Sequence, residues 1–192
     1  MVFKQSGRVT AVSMMAAPAA PIQAGHLRRL AIAFLIALAF YAAGRGTARA
    51  AYDMPSGVQP GTIVISTSER RLFLMGRDGA QVSYPVAVGK PGKQWYGWAR
   101  IEGKYVEPAW SPPEEVRRDN PRLPDVIPGG SPRNPMGKRA LTLDREEIAI
   151  HGTNRPGSIG TFASYGCIRM HNRDIVDLFE RVRVGTPVLV VR

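Results

Sequence analysis

The only cysteine of the chain, Cys167, lies sixteen residues after a histidine, His151. The segment between them is rich in glycine and small polar residues, and Gly166 directly precedes the cysteine. The thiolate is the reactive form of cysteine, and a neighbouring imidazole is the usual base that generates it. Glycine lets the backbone bend sharply and approach a substrate closely. These residues therefore predict a nucleophilic thiol that performs acyl transfer.

The same side chains also allow other interpretations. Cys167 could be a structural thiol, because free cysteines are usually buried and inert. His171, four residues past the cysteine, is a second candidate base. We favour His151 because it follows a predicted strand, which is a rigid support. A zinc site made of these three residues is conceivable, but the usual ligand spacing is absent. We predict no metal and no cofactor.

Acyl transfer also needs hydrogen-bond donors for the oxyanion. The backbone N–H groups of Tyr165, Gly166 and Cys167 surround the nucleophile, so they are the predicted donors. Arg169, two residues past the cysteine, is predicted to bind a substrate carboxylate.

Two further polar residues of the motif, Ser164 and Asn154, are predicted to bind substrate. Asn154 is also the nearest candidate for the third member of a catalytic triad. A backbone carbonyl can orient an imidazole equally well, so the sequence leaves both alternatives open.

Short strand patterns recur along the chain, with turn signals between them. An Asp-Gly turn at Asp78 predicts a hairpin, and Glu102-Gly103 predicts another. The predicted strands are Thr62–Ser66, Arg71–Met75, Gln81–Val88, Trp98–Ile101, Lys104–Glu107, Arg139–Leu143, Glu147–Ile150 and Thr186–Val191. One late helix is predicted, with Asn172 as its N-cap and an apolar face ending at Val182. The fold class is therefore mainly β, a sandwich or barrel.

Residues 111–138 hold seven prolines and three glycines, with a helical pattern only at residues 114–118. Long irregular segments of compact domains are usually functional loops or disordered. Proline reduces the entropy that such a segment loses on ordering. We predict that it covers the active site.

The N-terminal region has the features of an export signal. Arg28 and Arg29 precede an apolar run of fourteen residues, which is short for a membrane span, and Ala48-Arg49-Ala50 offers a cleavage site. We predict a signal peptide or N-terminal membrane segment at residues 1–50, a linker at 51–61 and the catalytic domain at 62–192. The protein would be exported to the periplasm or cell envelope, touching the membrane only through an uncleaved leader.

The charge is unevenly divided along the chain. Of the net +11, residues 1–50 contribute six Lys/Arg and no Asp/Glu, which leaves +5 for residues 51–192. This moderate excess suits an anionic cell wall or membrane surface. No basic stripe is interleaved with aromatic residues, so we predict no nucleic-acid partner.

The motifs resemble one protein family. The run HGTN-x-P-x-SIG from His151, the run S-x-GCIRM from Ser164, and the upstream run PGG-x-P-x-NPMG-x-RAL from Pro128 to Leu141 are similar to the catalytic domain of L,D-transpeptidases, the YkuD type. The likeness covers roughly residues 62–192. Tyr165 and Arg169 stand where many members have histidine and asparagine.

This resemblance implies a mainly β fold with one or two short helices, and action on peptidoglycan stem peptides. Cys167 would attack the bond after the third residue of a tetrapeptide stem, release terminal D-alanine and form a thioester. An amine of another stem would then take the acyl group, which gives a 3–3 cross-link. By the same resemblance, the Gly152 carbonyl would orient His151, while Arg169 and the loop of residues 111–138 would hold the donor stem.

Alternatives share this chemistry or only this fold. Water as acceptor would make the protein an L,D-carboxypeptidase, and a lysine acceptor would attach an envelope protein to the wall. A non-catalytic wall-binding domain is a further alternative, against which the intact Cys167, Gly166 and His151 argue. Sortases and papain-like enzymes differ in the order or spacing of Cys and His.

Overall fold

The computed structural model of the chain describes residues 55–192. The predicted signal segment lies outside the described residues, as does the first part of the predicted linker. Among the described residues, no helix is long and apolar enough to cross a membrane.

Within residues 55–192, nine strands form one mixed sheet that closes on itself, because β2 at one end of the strand order also pairs with β3, the strand next to the other end. The strand order is β2-β1-β9-β4-β5-β6-β8-β3-β7. The strands are β1 Ile63–Ser66, β2 Arg71–Met75, β3 Gln81–Gly89, β4 Gly97–Val106, β5 Arg139–Leu143, β6 Ala149–His151, β7 Phe162–Ser164, β8 Ile168–Met170 and β9 Pro187–Val191. The mainly β prediction is confirmed as a barrel-like sheet.

In the described part of the chain, two α-helices accompany the sheet. Helix α1, Glu114–Asp119, lies in the proline-rich segment, and helix α2, Asn172–Arg181, lies near the C-terminus. The inner face of α2 is apolar, with Ile175 and Leu178 fully buried against the core. Lys104 donates to the carbonyls of Phe179 and Val182 at 2.5 and 2.6 Å, which satisfies the C-terminal end of α2.

The hairpin predicted at Asp78 is confirmed by the antiparallel pairing of β2 with β3. The hairpin predicted at Glu102-Gly103 is wrong, because β4 runs continuously from Gly97 to Val106. Its first half pairs with β9 and its second half with β5, and a bulge lies between Ile101 and Gly103. Gly103 therefore serves a bulge, where the absence of a side chain leaves room for Tyr105 and Thr142.

The segment between His151 and Met170 is more regular than the sequence indicates. Strands β7 and β8 lie within it, and Cys167 occupies the short turn that joins them. Glu147 was predicted to begin a strand, but it lies in the turn between β5 and β6 with a φ of 59°. His151 ends β6 as predicted.

Candidate active site

Strands β6 and β8 lie side by side and run parallel, with His151 paired to Arg169. Paired residues point to the same face of a sheet, as do residues two apart along a strand. The pairing therefore places the imidazole and the guanidinium on one face, and the thiol of Cys167 lies in the turn just before β8. All three line one cavity of about 230 Å³. The two predicted catalytic residues are thereby brought together.

Cys167 is half-buried as a residue, and its Sγ donates toward the Glu147 carbonyl oxygen at 3.5 Å. Burial raises the pKa of this thiol, and the charge of Glu147 acts in the same direction. The Ala149 backbone and the Arg169 charge oppose that shift. In the resting protein the sulfur is therefore protonated at neutral pH, and a base has to remove its proton for attack.

The imidazole of His151 is almost completely buried. Burial, together with the positive charge of Arg169, lowers its pKa to about 4. The ring is therefore neutral at neutral pH, which is the form that can accept the thiol proton.

The backbone of Gly152 and of Pro135 acts on the His151 ring in the opposite direction and raises its pKa. Nδ1 nevertheless has no partner of hydrogen-bond geometry among the described residues. The ring position is therefore set mainly by the strand and its packing. Asn154 does not orient it, since its amide donates to the Arg133 and Pro132 carbonyls at 3.0 and 3.4 Å.

His171 does not line the cavity that contains Cys167. It precedes α2 at the N-cap position, where its carbonyl accepts from Asp174 and Ile175. The geometry thus supports His151 over His171 as the base. Within residues 55–192, no group of three or more His, Cys, Asp or Glu side chains is placed to hold a metal ion.

The turn that carries Cys167 is built around Ser164, which is buried. Its hydroxyl donates to the Cys167 carbonyl at 2.5 Å and accepts the Gly166 N–H at 3.1 Å. The Gly166 N–H, predicted to bind the oxyanion, is therefore already used inside the turn. Of the three N–H groups predicted to bind the oxyanion, those of Tyr165 and Cys167 remain as candidates. Ser164, predicted to bind substrate, instead holds the turn in shape.

Arg169 lines the cavity beside the thiol, and its Nε is buried without a hydrogen-bond partner. No carboxylate within residues 55–192 forms a salt bridge with it. A half-buried guanidinium whose buried Nε has no partner is less favourable than one paired with an anion. Its position fits the predicted role of binding a substrate carboxylate.

The proline-rich segment covers the cavity, as predicted. Trp110, just before it, and Pro113, Val116 and Met136 within it contribute to the cavity wall. Three polar contacts hold α1 in place: Tyr165 hydroxyl with Asp119, Lys90 with Asp119 at 3.6 Å, and Lys93 with Glu115 at 2.5 Å. The Tyr165 side chain thus serves the covering segment, which the sequence alone did not indicate.

Asn172 helps to hold His151 in position. The prediction that Asn172 is the N-cap of α2 is wrong. Its Oδ1 accepts the N–H groups of Lys138 and Thr153, each at 3.1 Å, and its Nδ2 donates to the Thr153 carbonyl at 3.0 Å. These bonds tie the chain just past His151 to the start of α2. The helix end itself receives no side-chain cap.

Replacing Asn172 with alanine should therefore destabilise the fold by about 2–3 kcal/mol, because three backbone groups lose their partner. Urea unfolding followed by circular dichroism would measure it. Asn120→Ala is the matched control, since that exposed amide makes one weak bond of 3.3 Å to the Val116 carbonyl. Equal losses in the two variants would contradict the role given to Asn172.

The lowered pKa of His151 also predicts a pH-dependent stability. In the unfolded chain the ring titrates near its ordinary value of 6.5, whereas in the folded protein it does so at about 4. The unfolded state therefore binds more protons between these values, and stability falls as the pH falls through this window. From pH 7 to pH 5 the loss should be about 2 kcal/mol. In the His151→Gln variant, the free energy of unfolding measured with urea should lack this pH-dependent loss. If the variant lost as much stability as the wild type between pH 7 and pH 5, the prediction would be contradicted.

Comparison with known proteins identifies the family. The family model described as the YkuD L,D-transpeptidase catalytic domain matches residues 60–190. The chain belongs to the L,D-transpeptidase family. The resemblance inferred from the motifs is thereby confirmed, and with it the assignment to a family of acyltransferase enzymes.

Two curated relatives from Escherichia coli strain K12 illustrate the match. The probable L,D-transpeptidase YbiS is 40% identical over 142 residues, which are 70% of this chain and 45% of YbiS. The probable L,D-transpeptidase ErfK/SrfK is 38% identical over 145 residues, which are 72% of this chain and 46% of that protein. The chain thus spans about half the length of these relatives.

Solved structures of the family share the fold at lower identity. An L,D-transpeptidase from Mycobacterium smegmatis superposes with a TM-score of 0.55 at 17% identity, covering 68% of this chain and 58% of that one. The ertapenem-acylated catalytic domain of the Enterococcus faecium enzyme superposes with a TM-score of 0.54 at 18% identity, covering 70% of this chain and 98% of that one. These likenesses establish the barrel-like fold.

Proposed function

We propose that this protein is an exported peptidoglycan L,D-transpeptidase that forms 3–3 cross-links through a thioester on Cys167. The observation that carries the proposal is the covered cavity that Cys167, His151 and Arg169 all border, at the paired ends of β6 and β8. The leader pattern at residues 28–50 supports export to the periplasm or cell envelope.

Acylation begins with the donor stem in the cavity and one of its carboxylates on Arg169. His151, neutral at rest, takes the thiol proton as Sγ attacks the carbonyl carbon of the third residue. The oxyanion receives hydrogen bonds from the Tyr165 and Cys167 N–H groups. The imidazolium then gives its proton to the leaving amine of D-alanine, and the thioester remains.

The buried Nδ1 of His151 gains a hydrogen-bond acceptor when the imidazolium forms. A carbonyl oxygen next to the ring stabilises its positive charge. Catalytic hydrogen bonds that are long in a free enzyme also become shorter in the substrate complex. The Gly152 carbonyl, next to the ring, is the group we assign to that role. Its influence on the His151 pKa is the supporting observation.

The test is incubation of the purified domain, residues 51–192, with tetrapeptide muropeptides, followed by mass spectrometry of the products. We expect dimers cross-linked through the third residues, which disappear with Cys167→Ala. If tripeptide monomers are the only products, the protein is an L,D-carboxypeptidase and not a transpeptidase. A substrate that stays unchanged, with a Cys167 that does not react with iodoacetamide, would support a wall-binding domain instead.

Ertapenem provides a second, independent probe of the thiol. The Enterococcus faecium domain is acylated by this compound. If Cys167 forms acyl-enzymes here, intact-protein mass spectrometry should show one covalent adduct on the wild-type domain. Cys167→Ala should show none, and absence of the adduct from both proteins would count against the proposed nucleophile.

A further inference from the structure

The thiol lies between two regions of opposite charge. Toward the turn that joins β5 and β6, Cys167 borders a cavity of about 680 Å³, here called the acidic cavity. Its wall holds four carboxylates and one guanidinium: Glu102, Asp144, Glu146, Glu147 and Arg145. Toward the other side, Arg169 borders a cavity of about 190 Å³, here called the basic cavity, with three arginines and no carboxylate: Arg133, Arg155 and Arg169.

The negative charge of the acidic cavity is not neutralised by the protein. None of its four carboxylates takes part in a salt bridge within residues 55–192. The one cation, Arg145, lies over the Trp95 ring at 4.5 Å from its centre. Asp144 accepts the backbone N–H of Arg100 at 2.7 Å, a bond that leaves its charge in place. This concentration of negative charge is notable in a domain with an excess of basic residues.

The acidic cavity also contains the proposed nucleophile in its wall. Cys167 is part of its wall, so an acyl group attached to Sγ is accessible from it. The donor stem has its anchor on the opposite side, where Arg169 continues into the basic cavity. A group entering through the acidic cavity therefore reaches the thioester without displacing the donor from Arg169.

We propose that the acidic cavity binds the acyl acceptor, a primary alkylamine in its protonated form, and delivers it to the thioester. This inference rests on the proposed transpeptidase function and assigns the second substrate of the same site. Carboxylates attract an alkylammonium ion and repel the carboxylates of a donor stem. Glu146 and Glu147 border both the acidic cavity and the cavity of His151 and Arg169. The separation of donor and acceptor therefore rests on Glu102 and Asp144 on one side of Sγ and on the three arginines on the other.

The bound alkylammonium loses one proton to solvent, and the free amine attacks the thioester carbonyl carbon. His151 takes a second proton from the attacking nitrogen, and the C–S bond breaks as the amide C–N bond forms. The imidazolium returns its proton to Sγ, which restores the thiol. Water that attacks instead yields the free acid, so the ratio of amide to acid reports acceptor binding.

The experiment measures this ratio with the tetrapeptide donor and an added amine. The variant Glu102→Gln/Asp144→Asn removes two negative charges that border the acidic cavity but not the cavity of His151 and Arg169, and an asparagine oxygen can still accept the Arg100 N–H. The control Glu69→Gln/Glu180→Gln removes two negative charges at exposed positions that border none of the cavities at the thiol. With Nα-acetyl-lysine amide as acceptor, we expect the amide-to-acid ratio to fall roughly tenfold in the first variant and to stay unchanged in the control.

Two further acceptors make the result specific. Hydroxylamine is uncharged at neutral pH, so its ratio should be the same in both variants and in the wild type. A tripeptide stem with a free side-chain amine tests the other natural source of the same ammonium group, and its preference over the lysine derivative distinguishes a stem from a protein acceptor. An equal fall with hydroxylamine, or no fall with either ammonium acceptor, would overturn the proposal. Failure of the wild type to release D-alanine would overturn the transpeptidase function itself.

Discussion

Replacing His151 with glutamine should slow the reaction of Cys167 with iodoacetamide by roughly 10²–10⁴-fold at pH 6, the scale of a general-base contribution. The reason is the resting charge state, in which burial keeps the thiol protonated and the imidazole neutral. The wild-type rate should be nearly independent of pH from just above pH 4 up to the thiol's own titration. The variant rate should rise about tenfold per pH unit, because it depends on the free thiolate alone.

The difference between the two proteins should therefore shrink as the pH rises, and stopped-flow or mass-spectrometric labelling from pH 6 to pH 9 would measure it. His171→Gln is the matched control, because that ring does not border the cavity at the thiol. It should follow the wild-type profile. Parallel profiles for wild type and His151→Gln would mean that the imidazole does not activate the sulfur.

The same two residues show how a candidate catalytic pair can be proposed from sequence. Cys167 and His151 are of residue types whose chemistry is specific, and a strand followed by a glycine-rich segment can bring them together. Their charge states could not be predicted, because these depend on burial. The pKa of His151 is lowered by the surrounding core and by Arg169, which becomes its neighbour only through the pairing of β6 with β8.

Local patterns predicted the strands where neighbouring residues decide the structure. The run Arg71–Met75 and the Asp-Gly turn after it needed no distant information. At Glu102-Gly103 the same kind of signal misled, because partners far along the chain, β9 and β5, hold both halves of β4 in register. Strands β7 and β8, of three residues each, are too short to show a period.

Asn172 and the charged cavities illustrate the same limit for side chains. The sequence before α2 predicted a helix cap, but the Asn172 amide binds the backbone of Thr153, nineteen residues away. The acidic cavity combines Glu102 of β4 with carboxylates of the turn after β5. Such sets are assembled by tertiary structure, so no spacing in the sequence identifies them.

Gly166, next to the proposed nucleophile, is a residue whose replacement should have a large structural effect. Its φ is +126°, in a region that side chains rarely adopt, and an added Cβ would lie 2.8 Å from Ile148 Cδ1. Its carbonyl also accepts the Trp95 Nε1–H at 3.0 Å, so the turn is fixed on both sides. Gly166→Ala should destabilise the fold by about 2–4 kcal/mol.

The catalytic loss in Gly166→Ala should exceed what the lost stability explains. The turn sets the position of Sγ and of the Cys167 N–H, and a misplacement of 1 Å can cost about 10²-fold in rate. Acylation by ertapenem, measured where the variant is fully folded, should fall by at least this factor. Gly160→Ala is the matched control: its φ is +87°, but an added Cβ meets nothing within 4 Å. It should lose about 1 kcal/mol of stability and keep its acylation rate. Equal acylation rates in the two variants would show that the turn does not position the nucleophile, because both carry the backbone strain and only Gly166 lies beside Cys167.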